Sequence, residues 1–308
     1  SLMDGNRLFH TVTNYLLTET LIGEDFGMIL LDYSAIAVAN ILVMKMEIKE
    51  NLIRHMILNS IRAYRKRFKD QYGEMVICCD GSNNWRRSFY PEYKASRRTS
   101  REKSSLDWNE IFRIINGVRD ELKENFPYHV VHVDGAEADD IIAQLCFRTG
   151  DFGKYEDVLI ISGDKDFAQL QTLKNVKQFS PMTKKFIDEP NPRTHLMNLI
   201  LSGDTSDGVP NVLSDDKCFV EERRQTPLSK KKKESLMDDP EVLGSDIYRN
   251  FLRNKKMIDL SELPSGVKQE IINNFEQQDP WHNKGKVFPY LVQNRLKSLL
   301  ENVEEFIS

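Results

Sequence analysis

A chain of 308 residues, 40% of them hydrophobic, can bury a full core as one large domain or as a main domain with a smaller appendage, which excludes global disorder. Lysine and arginine number 43 against 47 aspartates and glutamates, and the net charge of −4 gives by itself no sign of a nucleic-acid partner. Only the distribution of charge can do so. No apolar run approaches the roughly 18 to 20 residues of a membrane span, and residues 1–25 lack the basic-then-apolar plan of a secretory signal. The four cysteines (Cys78, Cys79, Cys146, Cys218) show no C-x-x-C spacing. A soluble, reduced, cytoplasmic protein without membrane association is expected.

In chain order, residues 1–25 are polar and weakly periodic and read as an N-terminal arm; Ser1-Leu2 ahead of Met3 reads as a cloning remnant. Three continuous apolar runs follow: Met28–Leu31 ending at Asp32, Met75–Cys79 ending at Asp80, and Val158–Ile161 ending at Ser162-Gly163-Asp164. Strands covered on both faces are apolar throughout, so these predict buried strands of a parallel sheet. Val130–Val133 is a further candidate strand. Helical spacing appears over Leu52–Phe68 and Ile111–Leu122. The alternation predicts an α/β fold over residues 26–187, a central, mostly parallel sheet flanked by helices, with ligands at the carboxyl ends of its strands. From 188 to 308 the chain reads as a smaller helical region, with Gln225–Lys233 as a mobile loop.

The aspartates sit where such a sheet concentrates its chemistry. Asp32, Asp80, Asp164 and Asp166 follow strands, Glu137, Asp139 and Asp140 open a helix, and Asp204 and Asp207 lie in Ser202–Gly208. Acids at one helix start are ordinarily only favourable to the helix dipole, worth roughly 0.3 to 1 kcal/mol each. Nine converging carboxylates are different, because their repulsion calls for a cation. An all-oxygen set suits Mg²⁺, with Mn²⁺ as substitute, and argues against zinc, since neither cysteine nor histidine stands among them. Two such ions activate a water and clamp a phosphate, the chemistry of phosphodiester hydrolysis.

Between Asp80 and the next helix, Trp85–Lys103 carries seven bases against two acids with aromatics interleaved, and Tyr90-Pro91-Glu92-Tyr93-Lys94 lies in its middle. That mixture suits contact with phosphates and unpaired bases. Arg86, Arg87, Tyr93, Lys94, Arg97, Arg98 and, further on, Lys217 are the candidate nucleic-acid contacts. A catalytically silent branched-DNA-binding module and a phosphatase of small substrates are the alternatives. The first has no use for nine carboxylates beside a phosphate, and the second needs no basic-aromatic segment.

The order of these motifs resembles the flap endonuclease and 5′-exonuclease superfamily: an aspartate after each of two strands, an Arg…Tyr-Lys-x-x-Arg segment, Glu-Ala-x-Asp at a helix start, Gly-Asp-x-Asp and Gly-Asp-x-x-Asp, spanning Asp32 to Asp207. The wording at Trp85-Arg86-Arg87 and Ser180-Pro181-Met182 is most similar to the ribonuclease H group of T-even-type bacteriophages. The resemblance implies a 5′-nuclease (PIN-like) fold with a basic helical arch over 85–105. It implies 5′-3′ exonuclease and flap endonuclease activity that removes RNA primers during phage DNA replication, in the host cytoplasm. It further implies that Asp32, Asp80, Asp139 and Asp164 hold a first magnesium with Glu137 and Asp140 nearby, and that Asp166, Asp204 and Asp207 surround a second. Lys94 and Arg86 would meet the scissile phosphate and Arg97 would steer the single strand. The implied partners are DNA or an RNA–DNA hybrid with a 5′ end or flap, a sliding clamp and a single-strand-binding protein, around a monomer. One departure stands out: Val209–Lys217 lacks the paired glycines of the family's duplex-gripping hairpin, so no potassium site is expected and Lys217 with its basic neighbours is expected to serve instead.

Overall fold

The computed structural model describes residues 27–43, 48–238 and 244–308; the arm expected over residues 1–25 lies outside them. Six strands form one sheet in the order β3-β2-β1-β4-β5-β6, where β1 is Met28–Asp32, β2 Glu74–Cys79, β3 His129–His132, β4 Val158–Ile161, β5 Val176–Ser180 and β6 Lys185–Ile187. All neighbours run parallel except β6, which returns antiparallel along β5. The apolar runs are continuous because alternate residues feed two cores. Ile29, Leu31, Met75, Ile77, Leu159 and Ile161 enter one, while Leu30, Val76, Cys78, Val158 and Ile160 enter the other.

Helices α1 (Tyr33–Val43), α2 (Glu50–Tyr72) and α5 (Trp108–Asn125) cover the first face. Two short helices, α3 (Arg86–Phe89) and α4 (Ala95–Glu102), form the basic segment between β2 and α5. The second face is covered by α6 (Ala138–Arg148). Beyond the sheet come α7 (Pro192–Ser202), α8 (Lys230–Asp238), α9 (Ser245–Ile258), α10 (Ser265–Glu276) and α11 (Val287–Gln293). The C-terminal helices complete the same cores: Ile271 of α10 packs in the second, and Val287, Tyr290 and Leu291 of α11 pack in the first. Residues 230–233 open α8 instead of forming the expected loop. Residues 225–226 are tethered, with Asn211 N donating to Gln225 Oε1 and Asn211 Nδ2 to the Thr226 carbonyl.

The stretch 209–217, where paired glycines are missing, is held from α9. Asn254 Nδ2 donates to the carbonyls of Ile200 and Pro210, both at 2.8 Å, and Asn250 Nδ2 to those of Val212 and Ser214 at 3.0 and 3.1 Å. The Arg253 guanidinium adds bonds to Pro210 O and to Asp216. Asn250 and Asn254 are buried, so these amides satisfy backbone oxygens that would otherwise be stranded away from water.

Candidate active site

β1 lies between β2 and β4, so the carboxyl ends of these three strands are adjacent and deliver Asp32, Asp80 and Asp164 to one edge. Asp32 accepts from Ala35 N at 3.2 Å and from Ser162 Oγ at 3.1 Å. Gly81 lets β2 turn closely against the β3–α6 connection, because a Cβ there would lie 1.9 Å from the Val133 carbonyl oxygen. That approach allows Ala138 N, at the start of α6, to donate to Asp80 at 2.8 Å. Buried Gln178 of β5 holds the loop after β4 by donating to the carbonyls of Ser162 and Asp164.

After α7 the chain turns sharply at Gly203, whose φ of +68° and 2.3 Å approach to Val209 O leave no room for a side chain. Asp204 then caps the next turn by accepting from Ser206 N and Asp207 N. The basic segment is fastened to this turn: Lys94, itself in a left-handed conformation at φ 57°, donates its backbone N–H to Asp207 O at 2.7 Å, and Tyr90 Oη donates to Gly208 O.

One cavity of about 600 Å³ results, lined by eight carboxylates: Asp32, Asp80, Glu137, Asp139, Asp164, Asp166, Asp204 and Asp207. Lys94, Arg97, Arg101 and Lys165 line it too. Lys94 Nζ pairs with Glu137 at 2.5 Å and Arg97 with Asp207 at 2.7 Å, while Lys165 reaches Asp204 at 2.5 Å. Lys165, Arg101 and the nearby Trp108 and Phe112 had not been singled out in the sequence. Arg101 packs over the Phe112 ring at 4.7 Å, a pairing of an arch base with the following helix that spacing alone does not reveal.

Several expected residues sit elsewhere. Asp140 is fully buried; its Oδ1 accepts from Arg86 Nη2 and its Oδ2 from Arg86 Nη1, Trp85 Nε1 and Glu137 N. Both its oxygens are engaged by these donors and it is not part of the cavity lining, so it is set apart from the other acids as the buried partner of Arg86. Arg86 is 2% exposed, bound to Asp140, Glu137 and the Met257 carbonyl, so its placement as a phosphate contact is corrected to a buried structural cation. Tyr93 is likewise corrected: it is buried, and its hydroxyl bridges Glu137 and Asp207 instead of facing a nucleotide. Arg87 and Lys217 are exposed outside the cavity lining, and the Arg98 side chain lies outside the description.

Among the described residues, no three acids are gathered tightly enough to hold an ion as they stand. The lining nevertheless fits a divalent cation. Asp166 Oδ1 is buried without a hydrogen-bond partner. Burial, reinforced by Asp80, pushes the Asp32 carboxyl up to about 7. Burial and Asp164 do the same to Asp166, also to about 7, and burial with Asp32 and Glu137 raises Asp139. Glu137 goes the other way: burial pushes it up, but Lys94 and Arg86 hold it at about 2. A carboxyl raised from 3.8 to about 7 contributes stability that is complete below 3.8 and lost as pH rises through 7, at about 1.4 kcal/mol per unit. The cation-free protein is therefore expected to melt at a lower temperature at pH 8 than at pH 5, with Mg²⁺ restoring more at pH 8. Thermal unfolding with and without the ion checks this, and equal effects at both pH values would contradict it.

With this geometry in view, comparison with known proteins is specific. Residues 28–195 match the family model of the 5′-3′ exonuclease N-terminal resolvase-like domain, and residues 191–306 match the model described as T4 RNase H, C terminal. The chain is 35% identical over 305 residues to the ribonuclease H of Enterobacteria phage T4, covering 94% of this chain and 99% of that protein. It is 32% identical over 147 residues to the 5′-3′ exonuclease of Buchnera aphidicola, covering 45% of this chain and 48% of that one. Among solved structures, the D15 protein of phage T5 crystallised with metal ions has the same fold, with a TM-score of 0.59 at 15% identity over 83% of this chain and 99% of that one. The T5 D15 flap endonuclease in complex with DNA and metal ions aligns with a TM-score of 0.58 at 16% identity, over 82% of this chain and all of that one. The chain is a nuclease and belongs to the 5′-3′ exonuclease family, in the group that shares its C-terminal region with the phage T4 ribonuclease H.

Proposed function

We propose that this nuclease is a divalent-metal-dependent enzyme that cleaves RNA-primed and 5′-flapped DNA, working as a monomer beside a sliding clamp and a single-strand-binding protein in the host cytoplasm. The observation that carries the reading is the cavity in which eight carboxylates meet Lys94 and Arg97 at the foot of the basic segment. Carboxylates alone would repel a phosphodiester; the two cations beside them give it a reason to enter. Asp32, Asp80, Asp139 and Asp164 would hold one Mg²⁺ or Mn²⁺ ion, with Glu137 close by, and Asp166, Asp204 and Asp207 a second. Such ions supply an activated water and stabilise the leaving oxygen.

The chain's own residues orient the phosphate. Lys94 and Arg97 offer it charge-assisted hydrogen bonds, and the fastening of Lys94 to Asp207 fixes the distance between the cation that grips the strand and the acids that face it. Arg101, Trp108 and Phe112 give the unpaired strand a basic and aromatic surface. The T5 complex with DNA and metal ions, on the same fold, supports the reading.

The test is cleavage of a 5′-labelled flap and an RNA-primed duplex with Mg²⁺ and with EDTA. Short 5′ products that require the metal are expected. Tight binding without metal-dependent cleavage would support the silent DNA-binding module.

A further inference from the structure

The eight cavity acids divide sharply by partner. Asp32, Asp80, Asp139 and Asp164 form no ion pair among the described residues, whereas Glu137 and Asp207 are paired to Lys94 and Arg97, and Asp204 to Lys165. Both oxygens of Asp204 are engaged: Oδ1 accepts from Ser206 N, Ser206 Oγ and Asp207 N, and Oδ2 takes Lys165 Nζ. The same ammonium lies 3.9 Å from Asp166 Oδ1, an oxygen buried with no hydrogen bond of its own. Lys165 Nζ thus stands between two carboxylates from different elements, both of which would also attract a divalent cation. Its backbone is fixed independently, since Lys165 O is bonded to His195 Nε2 at 2.9 Å. Only the flexible side chain has to move, and it is half exposed, so it has somewhere to go.

We infer that Lys165 is an internal counterion that competes with a divalent ion for Asp204 and Asp166, making the cavity's two halves unequal in metal affinity. This rests on the metal-dependent reading above. An ion entering beside Asp32, Asp80, Asp139 and Asp164 displaces no cation and relieves their repulsion. An ion entering beside Asp166 and Asp204 has to break the Lys165 pair first, so its affinity is reduced by whatever that pair contributes. The arrangement also keeps Asp204 from repelling incoming phosphate before the ion arrives. Lys165 is a positioning residue here, acting on the reaction only through the acids it holds.

The test is Mn²⁺ binding to the full chain without DNA, followed by the electron paramagnetic resonance of free Mn²⁺ and by calorimetry. Wild type is expected to take one ion at least 10-fold more tightly than the next. Lys165→Met, which keeps the unbranched apolar stem and removes the ammonium, should tighten the second ion about 10-fold and leave the first unchanged. Lys165→Arg, which keeps the charge, should restore the wild-type gap; a merely structural staple would not sort the variants by charge in metal affinity. Arg97→Met, which removes the nearer of Asp207's two cations and leaves Lys94 at 3.7 Å, serves as an independent second variant and should shift the same ion in the same direction. Two equally tight ions in wild type, or an unchanged second ion in Lys165→Met, would overturn the counterion role while leaving the metal-dependent reading intact. Absence of any bound ion would overturn both.

Discussion

Replacing Arg86 by alanine is expected to lower the unfolding free energy by about 3–5 kcal/mol, the range for removing one partner of a buried ion pair. The guanidinium is 2% exposed and Asp140 is fully buried, so the variant leaves a carboxylate inside the protein with its two strongest donors gone. Trp85 Nε1 and Glu137 N still donate to it, which keeps the loss from being larger. Urea unfolding measures the effect. Arg86→Ala combined with Asp140→Leu should recover part of the stability, because the apolar pair leaves no charge stranded. A single variant as stable as wild type but weak in DNA binding would return Arg86 to the phosphate contacts.

Asp139→Asn is expected to leave DNA binding within a few fold while turnover falls by roughly 10³ or more, since an ion's several kcal/mol of transition-state stabilisation is at stake and each 1.36 kcal/mol is tenfold in rate. The same change should stabilise the cation-free protein at pH 8. Burial and the nearby Asp32 and Glu137 raise the Asp139 carboxyl, so its ionised form is carried at a cost that asparagine does not have. Single-turnover cleavage and thermal unfolding read the two effects separately. Unimpaired turnover would remove Asp139 from the reacting centre. Lower stability in the absence of metal would show that its role is structural.

The opposed directions, activity lost and stability gained, follow from one fact of the site: its acids are arranged for a cation and not for one another.

The sheet could be read from the sequence because strands buried on both faces leave unbroken apolar runs, and the aspartates could be read because two of the runs stop at one and the third is followed by Asp164 within three residues. β5 and β6 escaped notice. Val-Lys-Gln-Phe-Ser has neither an apolar run nor strict alternation and contains a buried glutamine, and Lys185–Ile187 is a three-residue edge strand with no apolar run to mark it. Gln178 looked like any polar residue until its amide was seen holding the loop that carries Asp164. Arg86 and Arg87 make the clearest lesson. They are adjacent and chemically identical, yet one is buried and the other exposed. Asp140, more than fifty residues away in sequence, lies buried at a helix start and accepts one guanidinium, and composition cannot say which arginine will be chosen. Lys230–Lys233 misled in the opposite sense: a lysine run reads as solvated loop, but lysine is a good helix former and Leu236 of α8 is buried in a third apolar cluster.

The asparagines of α9 have a consequence for engineering. In a glycine-built hairpin the shape is written into the hairpin's own backbone, so the segment can be moved as a unit. Here the path of residues 209–217 is dictated by Asn250, Arg253 and Asn254 from a helix about forty positions downstream. Transplanting a relative's hairpin into this chain would leave those amides facing the wrong carbonyls, and a functional graft would have to exchange hairpin and helix together as one two-part cassette.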